Sequence, residues 1–336
     1  MDSISRMRPG RLLPFSLSLL LLACSATGDP NSGRIDNQDI QGMGGAATSM
    51  AGTTGAGTPG FGPSAPLMSP DTGGMSSVIS QLPTRGSDPT GCTKDQNILF
   101  LIDRSGSMQC NPPPTTQSFA CDLFPTRADT TMPSKLDIVE QALSMSFNQL
   151  LPTMMNQPVT RAGLAELSTD DMCGASAMPL VPVTQVSPPF LDMLRMTMMG
   201  LVPNGTTPIV AAVNAAYQYF EMNAAMLPGN NHLILVTDGA DDCASQQDTQ
   251  QLITTGAAQA LSMGIDTWVI GAPGSENARS MLSHLAKAGG TGRPNCDVGT
   301  LPTTGNCHFD MTMGDFATSF GMALQTILAA VECGPA

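Results

Sequence analysis

Three apolar runs constrain this chain more than any other feature: Asn97-Ile98-Leu99-Phe100-Leu101-Ile102, His232-Leu233-Ile234-Leu235-Val236-Thr237 and a third over residues 265–270. The first two show no alternation of polar and apolar residues. Strands of that kind are covered on both faces, as in parallel sheets with a helix layer on each side. Helical signals fall between them. Ser134-Lys135-Leu136-Asp137 has the form of a capping box, Leu136, Val139, Leu143, Phe147 and Leu150 follow at helical spacing, and Pro152 closes the segment. Further strands are expected at 161–167, at 179–183 as an edge strand that tolerates proline, and at 308–311. Further helices are expected over 189–199, over 208–220 with Pro208 in the first turn, over 246–263, and over 275–288 up to Gly289-Gly290. Phe316, Phe320, Ala323, Leu324, Ile327, Leu328 and Val331 form one apolar stripe, which predicts a last helix. The fold class expected is α/β: a doubly wound, mostly parallel sheet with helices on both faces.

The part of the chain before residue 92 follows other rules. Arg6, Arg8 and Arg11 precede an apolar segment over 12–23 that is too short to span a bilayer and reads as an export signal. Its end, Leu21-Leu22-Ala23-Cys24, resembles a bacterial lipobox, which implies lipidation at Cys24 and a signal peptide over 1–24. Ser25, rather than Asp, follows the cysteine, and by the same resemblance the expected address is the outer membrane, facing the periplasm or the cell surface. Residues 25–91 are dominated by Gly, Ser, Thr, Pro and Ala without apolar periodicity. Such a segment is expected to be a disordered tether, with an end-to-end distance on the order of 45 Å. The folded domain is therefore expected over 92–333.

Charge and cysteine usage exclude several functions. The formal net charge is −13 with 14 Lys plus Arg, so no basic stripe exists to neutralise phosphates and nucleic acid is not an expected partner. The membrane is expected to be reached through the lipid anchor only. Eight cysteines remain after Cys24, an even number that implies disulfides in an exported protein. Zinc is disfavoured because the chain has no C-x-x-C pair and only three histidines.

The chemistry is carried by three short motifs. Asp103-Arg104-Ser105-Gly106-Ser107 leaves the first apolar run, Gly205-Thr206-Thr207-Pro208 precedes a helical segment, and Thr237-Asp238-Gly239 ends the second run. Each alone reads equally well as an ordinary Asx or Ser turn. A carboxylate and two hydroxyls in five residues can also aim three oxygens at one hard cation. Together and in this order, the motifs resemble the metal-ion-dependent adhesion site of von Willebrand factor type A domains, and the element order over 92–333 matches that family. The resemblance implies Mg²⁺, or Mn²⁺ or Ca²⁺, held by Asp103, Ser105, Ser107, Thr207 and Asp238. Thr207 rather than Thr206 is the implied ligand, because the family's G-G-T-P pattern puts glycine at the position of Thr206. It further implies an acidic group on a protein or glycan partner as the last ligand. Two departures, the insertion over 109–133 and Asp241-Asp242-Cys243, lie where ligands bind in the family.

In that fold Cys110, Cys121, Cys173 and Cys243 are expected in loops at the metal face. Cys110–Cys121 and Cys173–Cys243 are preferred among the pairings that four cysteines allow. Cys296–Cys307 brackets a Gly/Thr/Pro-rich loop, and Cys92–Cys333 brackets the domain, whose ends are expected to be close. Met193, Met196, Met198 and Met199 are read as core packing of an amphipathic helix rather than as soft copper ligands, and Trp268 as core. Asp241 and Asp242 are read as solvated carboxylates rather than as a second cation site. No G-x-S-x-G, phosphate-loop or H-E-x-x-H pattern is present, and an enzyme is not expected. The alternatives are a structural or assembly lipoprotein of the cell envelope, whose metal only rigidifies the fold, and a calcium- or zinc-dependent hydrolase that uses the insertion.

Overall fold

The computed structural model describes residues 94–113, 121, 125–152, 158–168, 173–293, 295–298 and 305–331. The expected signal peptide over 1–24, lipidated Cys24, the tether over 25–91 and the Cys92–Cys333 bridge lie outside these residues.

The strands are β1 (Gln96–Ile102), β2 (Thr160–Glu166), β3 (Val181–Gln185), β4 (Asn230–Thr237), β5 (Ile265–Gly271) and β6 (Phe309–Asp310). They form one sheet in the order β3-β2-β1-β4-β5-β6, in which only β3 runs antiparallel to its neighbour. The edge strand lies two residues later than its expected place, and it carries Pro182 where a missing N–H is harmless. Gly163 of β2 sits at the register shift against β3. A Cβ there would come 2.8 Å from the Val181 carbonyl oxygen, so glycine is what lets the edge strand approach.

The helices are α1 (Lys135–Ser146), α2 (Pro188–Met198), α3 (Ile209–Met222), α4, α5 (Arg279–Ala288) and α6 (Phe316–Val331). Helix α4 comprises Gln246–Gln251, a π-helical turn over Leu252–Gly256, and Ala257–Ser262. A 3₁₀ turn over Ser275–Ala278 precedes α5, where one continuous helix was expected. The Ser134 capping box is formed as its spacing predicts: the Ser134 hydroxyl accepts from Asp137 N and the Asp137 carboxylate accepts from Ser134 N.

Because β1, β4 and β5 are apolar on both faces, alternate residues feed two separate cores. Ile98, Phe100, Ile102, Ile234, Val236 and Ile270 pack with α1, α2 and α6. Leu99, Leu101, Leu233, Leu235 and Val269 pack with α3, α4 and α5. Trp268 is core, as expected, and stacks at a tilt near Phe309. The methionines of α2 are a correction. Only Met198 is buried, whereas Met193, Met196 and Met199 are exposed. The buried face is Phe190, Leu191, Leu194 and Met198, at i, i+1, i+4 and i+8, and residues three apart from 193 onward turn onto the opposite side.

Three bridges are formed within the described residues: Cys110–Cys121, Cys173–Cys243 and Cys296–Cys307. They place folding in an oxidising compartment outside the cytoplasm. No helix among the described residues is long and apolar enough to cross a membrane.

Candidate metal centre

In a doubly wound sheet of order 3-2-1-4-5-6, the chain turns in opposite directions on either side of the point where β1 meets β4, which opens a crevice at the carboxyl ends of these strands. Asp103 leaves β1 there and Asp238 leaves β4. The loops are stitched together by backbone bonds: Asp103 N donates to Val236 O (2.9 Å), Gly106 N to Gly205 O (3.2 Å) and Asn204 N to Arg104 O (2.7 Å). Arg104 pairs with Glu166 at the end of β2. The Thr207 loop is thus held against the Asp103 loop, although about a hundred residues separate them in sequence.

Asp103, Ser105, Thr207 and Asp238 are buried, and Ser107 is half-buried. Asp103 Oδ1 accepts from Ser105 N (2.8 Å), and Oδ2 accepts from the Thr237 hydroxyl (2.6 Å). Ser105 Oγ and Ser107 Oγ lie 3.1 Å apart, and Ser107 Oγ donates to Asp238 Oδ1 at 2.8 Å. Thr207 engages the Asp242 carboxylate, while Thr207 O accepts from Asp242 N (3.2 Å). Burial, and then the neighbouring Asp238 charge, push the Asp103 carboxyl up to about 6. Asp242 is exposed, as its reading as a solvated carboxylate expects, and partial desolvation raises its carboxyl above its ordinary value.

The donor set suits a hard cation. Among the described residues no group of three or more His, Cys, Asp or Glu side chains could hold a metal, so a site here depends on hydroxyls beside two carboxylates. Neighbouring ligands of an octahedral Mg²⁺ ion lie about 2.9 Å apart when each bond is about 2.05 Å. The Ser105–Ser107 and Ser107–Asp238 spacings of 3.1 and 2.8 Å bracket that value. With oxygen donors alone, Mg²⁺, Mn²⁺ or Ca²⁺ fits the set, and zinc or copper does not.

Four neighbours were not legible as site residues. Thr237 anchors Asp103, and Asp242 leans on Thr207. Asp241, read from the sequence as a solvated carboxylate, is half-buried and bonded to backbone: its Oδ2 accepts from Val210 N (2.6 Å), and its Oδ1 accepts from Cys243 N (2.7 Å) and Ala244 N (2.6 Å). It thereby caps α3, whose flanking residue Pro208 supplies no side-chain cap of its own. The fourth is Lys135, the first residue of α1, whose ammonium pairs with Asp238 Oδ2. Its place in a capping box disguised it, and the only available signal was that it is one of three lysines in the whole chain.

A pH dependence follows from Asp103. Its folded-state value, about 6, lies above its unfolded value near 3.8, so folding takes up a proton between these limits and this contribution to stability is lost as pH rises through 6. The cation-free protein is therefore expected to become less stable from pH 4 to 6.5, and Asp103→Asn is expected to flatten that part of the profile. A divalent cation held through Asp103 would compete with the same proton, and its affinity would then fall up to about tenfold per pH unit below 6. Urea titrations in chelator and calorimetry with Mg²⁺ across this range measure both, and a wild-type profile that coincides with the Asn variant would refute the assignment.

No family model matches the sequence, and no curated protein matches it. Solved structures similar to it include a von Willebrand factor type A from Catenulispora acidiphila, at 15% identity and a TM-score of 0.45, over 71% of this chain and 43% of that one. The conserved hypothetical protein BatB from Bacteroides thetaiotaomicron is 14% identical, with a TM-score of 0.43, over 70% of this chain and 98% of that one. The PilB minor pilin from Streptococcus sanguinis is 13% identical, with a TM-score of 0.46, over 73% of this chain and 63% of that one. The chain thus spans less than half the length of the first of these structures. Likeness at this level carries no argument about function, which rests on the geometry of the site.

Proposed function

We propose that this protein is a cation-dependent binding protein of the cell envelope and not an enzyme. Asp103, Ser105, Ser107, Thr207 and Asp238 hold Mg²⁺, with Mn²⁺ or Ca²⁺ as substitutes, and a protein or glycan partner offers the acidic group that completes the shell. With the Lys135 ammonium paired to Asp238, a divalent ion beside the two carboxylates leaves a formal net charge of plus one, which favours an incoming anion. The observation that carries this reading is the chain of contacts Ser105–Ser107–Asp238 beside buried Asp103, at the crevice where an α/β sheet binds ligands. Thr207 presents its hydroxyl from the third loop, with Asp242 poised to accept from it. Cys24 lipidation at the outer membrane completes the proposal, and places the domain on a tether facing the periplasm or the cell surface.

Co-purification from envelope extracts tests it, with full-length wild type and Thr207→Ala, in Mg²⁺ and in chelator. The expected result is a partner retained by wild type in Mg²⁺ alone, and lost from the Thr207 variant even where that variant binds Mg²⁺ only a few-fold more weakly. A second reading, a structural or assembly lipoprotein, is favoured by one observation: Asp238 already has an internal cation in Lys135. Partners retained equally in chelator support that second reading.

A further inference from the structure

Lys135 is placed where local rules disfavour it. It is the first residue of α1, at the positive end of a helix dipole, and its side chain is 1% exposed. A buried ammonium is tolerable only when it is paired and hydrogen-bonded. Both conditions are met at the metal centre. The Lys135 Nζ pairs with Asp238 Oδ2 and donates to Pro273 O at 2.9 Å, while the backbone N of Lys135 donates to Cys110 O at 2.9 Å. The passage for the ammonium is kept open by Gly274 at φ +115°. A Cβ there would come 3.2 Å from Nζ and 2.7 Å from Asp238 O.

The two oxygens of Asp238 therefore have different duties. Oδ1 faces the ligand cluster through Ser107, and Oδ2 is held from behind by Lys135. The formal charge of the cluster is minus one, from Asp103, Asp238 and Lys135, where the hydroxyl and carboxylate donors alone would give minus two. Two buried carboxylates without a counter-charge repel each other, and the site would be costly to assemble empty.

We propose that Lys135 is the built-in counter-cation of this centre: it orients Asp238 through Oδ2, keeps the empty site assembled, and lowers affinity for divalent cations by removing one unit of negative charge. This rests on the reading of the site as a divalent-cation site. Lys135 acts through Asp238 and is a positioning residue. Its consequence is an adjustable site, one that releases its cation without unfolding.

The test uses the full-length protein with Lys135→Met, which removes charge and hydrogen bonds, and Lys135→Gln, which removes charge but keeps a donor. Mg²⁺ and Mn²⁺ affinities are measured by calorimetry, with thermal unfolding in chelator and at saturating Mg²⁺. Both variants are expected to bind Mg²⁺ and Mn²⁺ about tenfold or more tightly than wild type, since a site of greater negative charge attracts the ion more strongly. Both should unfold at lower temperature than wild type in chelator and recover most of the difference in Mg²⁺. Folded variants with wild-type or weaker affinity overturn the proposal. Variants that fail to fold even in saturating Mg²⁺ also overturn it, because the ion would then be unable to replace the ammonium. A wild type that binds no cation while the variants bind one supports the role of Lys135 and refutes the metal reading of the native protein. Absence of binding in all three overturns both.

Discussion

Replacing Asp103 with Ala is expected to abolish divalent-cation binding, with at least a hundredfold loss of Mg²⁺ affinity, while the circular dichroism of the domain stays native. The carboxylate supplies half of the negative charge of the proposed ligand set, and no neighbouring hydroxyl can replace it. Its loss leaves the Ser105 N–H and the Thr237 hydroxyl without their acceptor, each costing about 1–3 kcal/mol. Removing the repulsion between Asp103 and Asp238 offsets part of that cost. Calorimetry with Mg²⁺ and Mn²⁺, read beside circular dichroism, measures both sides. Unchanged affinity in the variant would show that the cation, if bound, sits elsewhere. Loss of the cation with retention of the partner would replace the adhesive reading by the structural one.

Three residues earlier, on the strand that leads to Asp103, the expectation reverses. Phe100 is fully buried between β1 and α1, 5.6 Å from the ring of Phe147. Phe100→Ala is expected to cost about 3–5 kcal/mol of stability, through lost burial and the cavity left behind. In a domain of this size that lowers the unfolding midpoint by roughly 10 °C. The Mg²⁺ affinity of the folded fraction should stay within a few-fold of wild type. A Phe100 variant as stable as wild type would mean that the core collapses onto the gap, and a tenfold loss of affinity would mean that β1 packing is coupled to the loop it carries.

That contrast between a strand and the loop it carries also shows how information is distributed along the chain. Ile98 to Ile102 announce a doubly covered strand by composition alone, because burial on both faces leaves no polar alternation. Ser134 and Asp137 announce the start of α1, since a capping box closes within four residues. The stripe from Phe316 to Val331 announces α6 in the same local way, and all seven of its residues are buried. Asp103, Ser105 and Ser107 were legible because their donors lie within one turn. Thr207 and Asp238 were legible only through the resemblance that ordered the three motifs.

What the sequence by itself determined is therefore whatever closes over a few residues: the elements, their periodicity, the fold class, and the oxygen character of the candidate site. Tertiary structure alone decided which distant groups meet. It gave Asp241 to the first turn of α3, Asp242 to Thr207, Thr237 to Asp103 and Lys135 to Asp238. It also turned Met193, Met196 and Met199 outward, where composition had placed them in the core. The reason is physical: hydrophobic burial is written locally as a period, whereas the partner of a buried charge is set by which loops the sheet order brings side by side, and that order is a property of the whole fold.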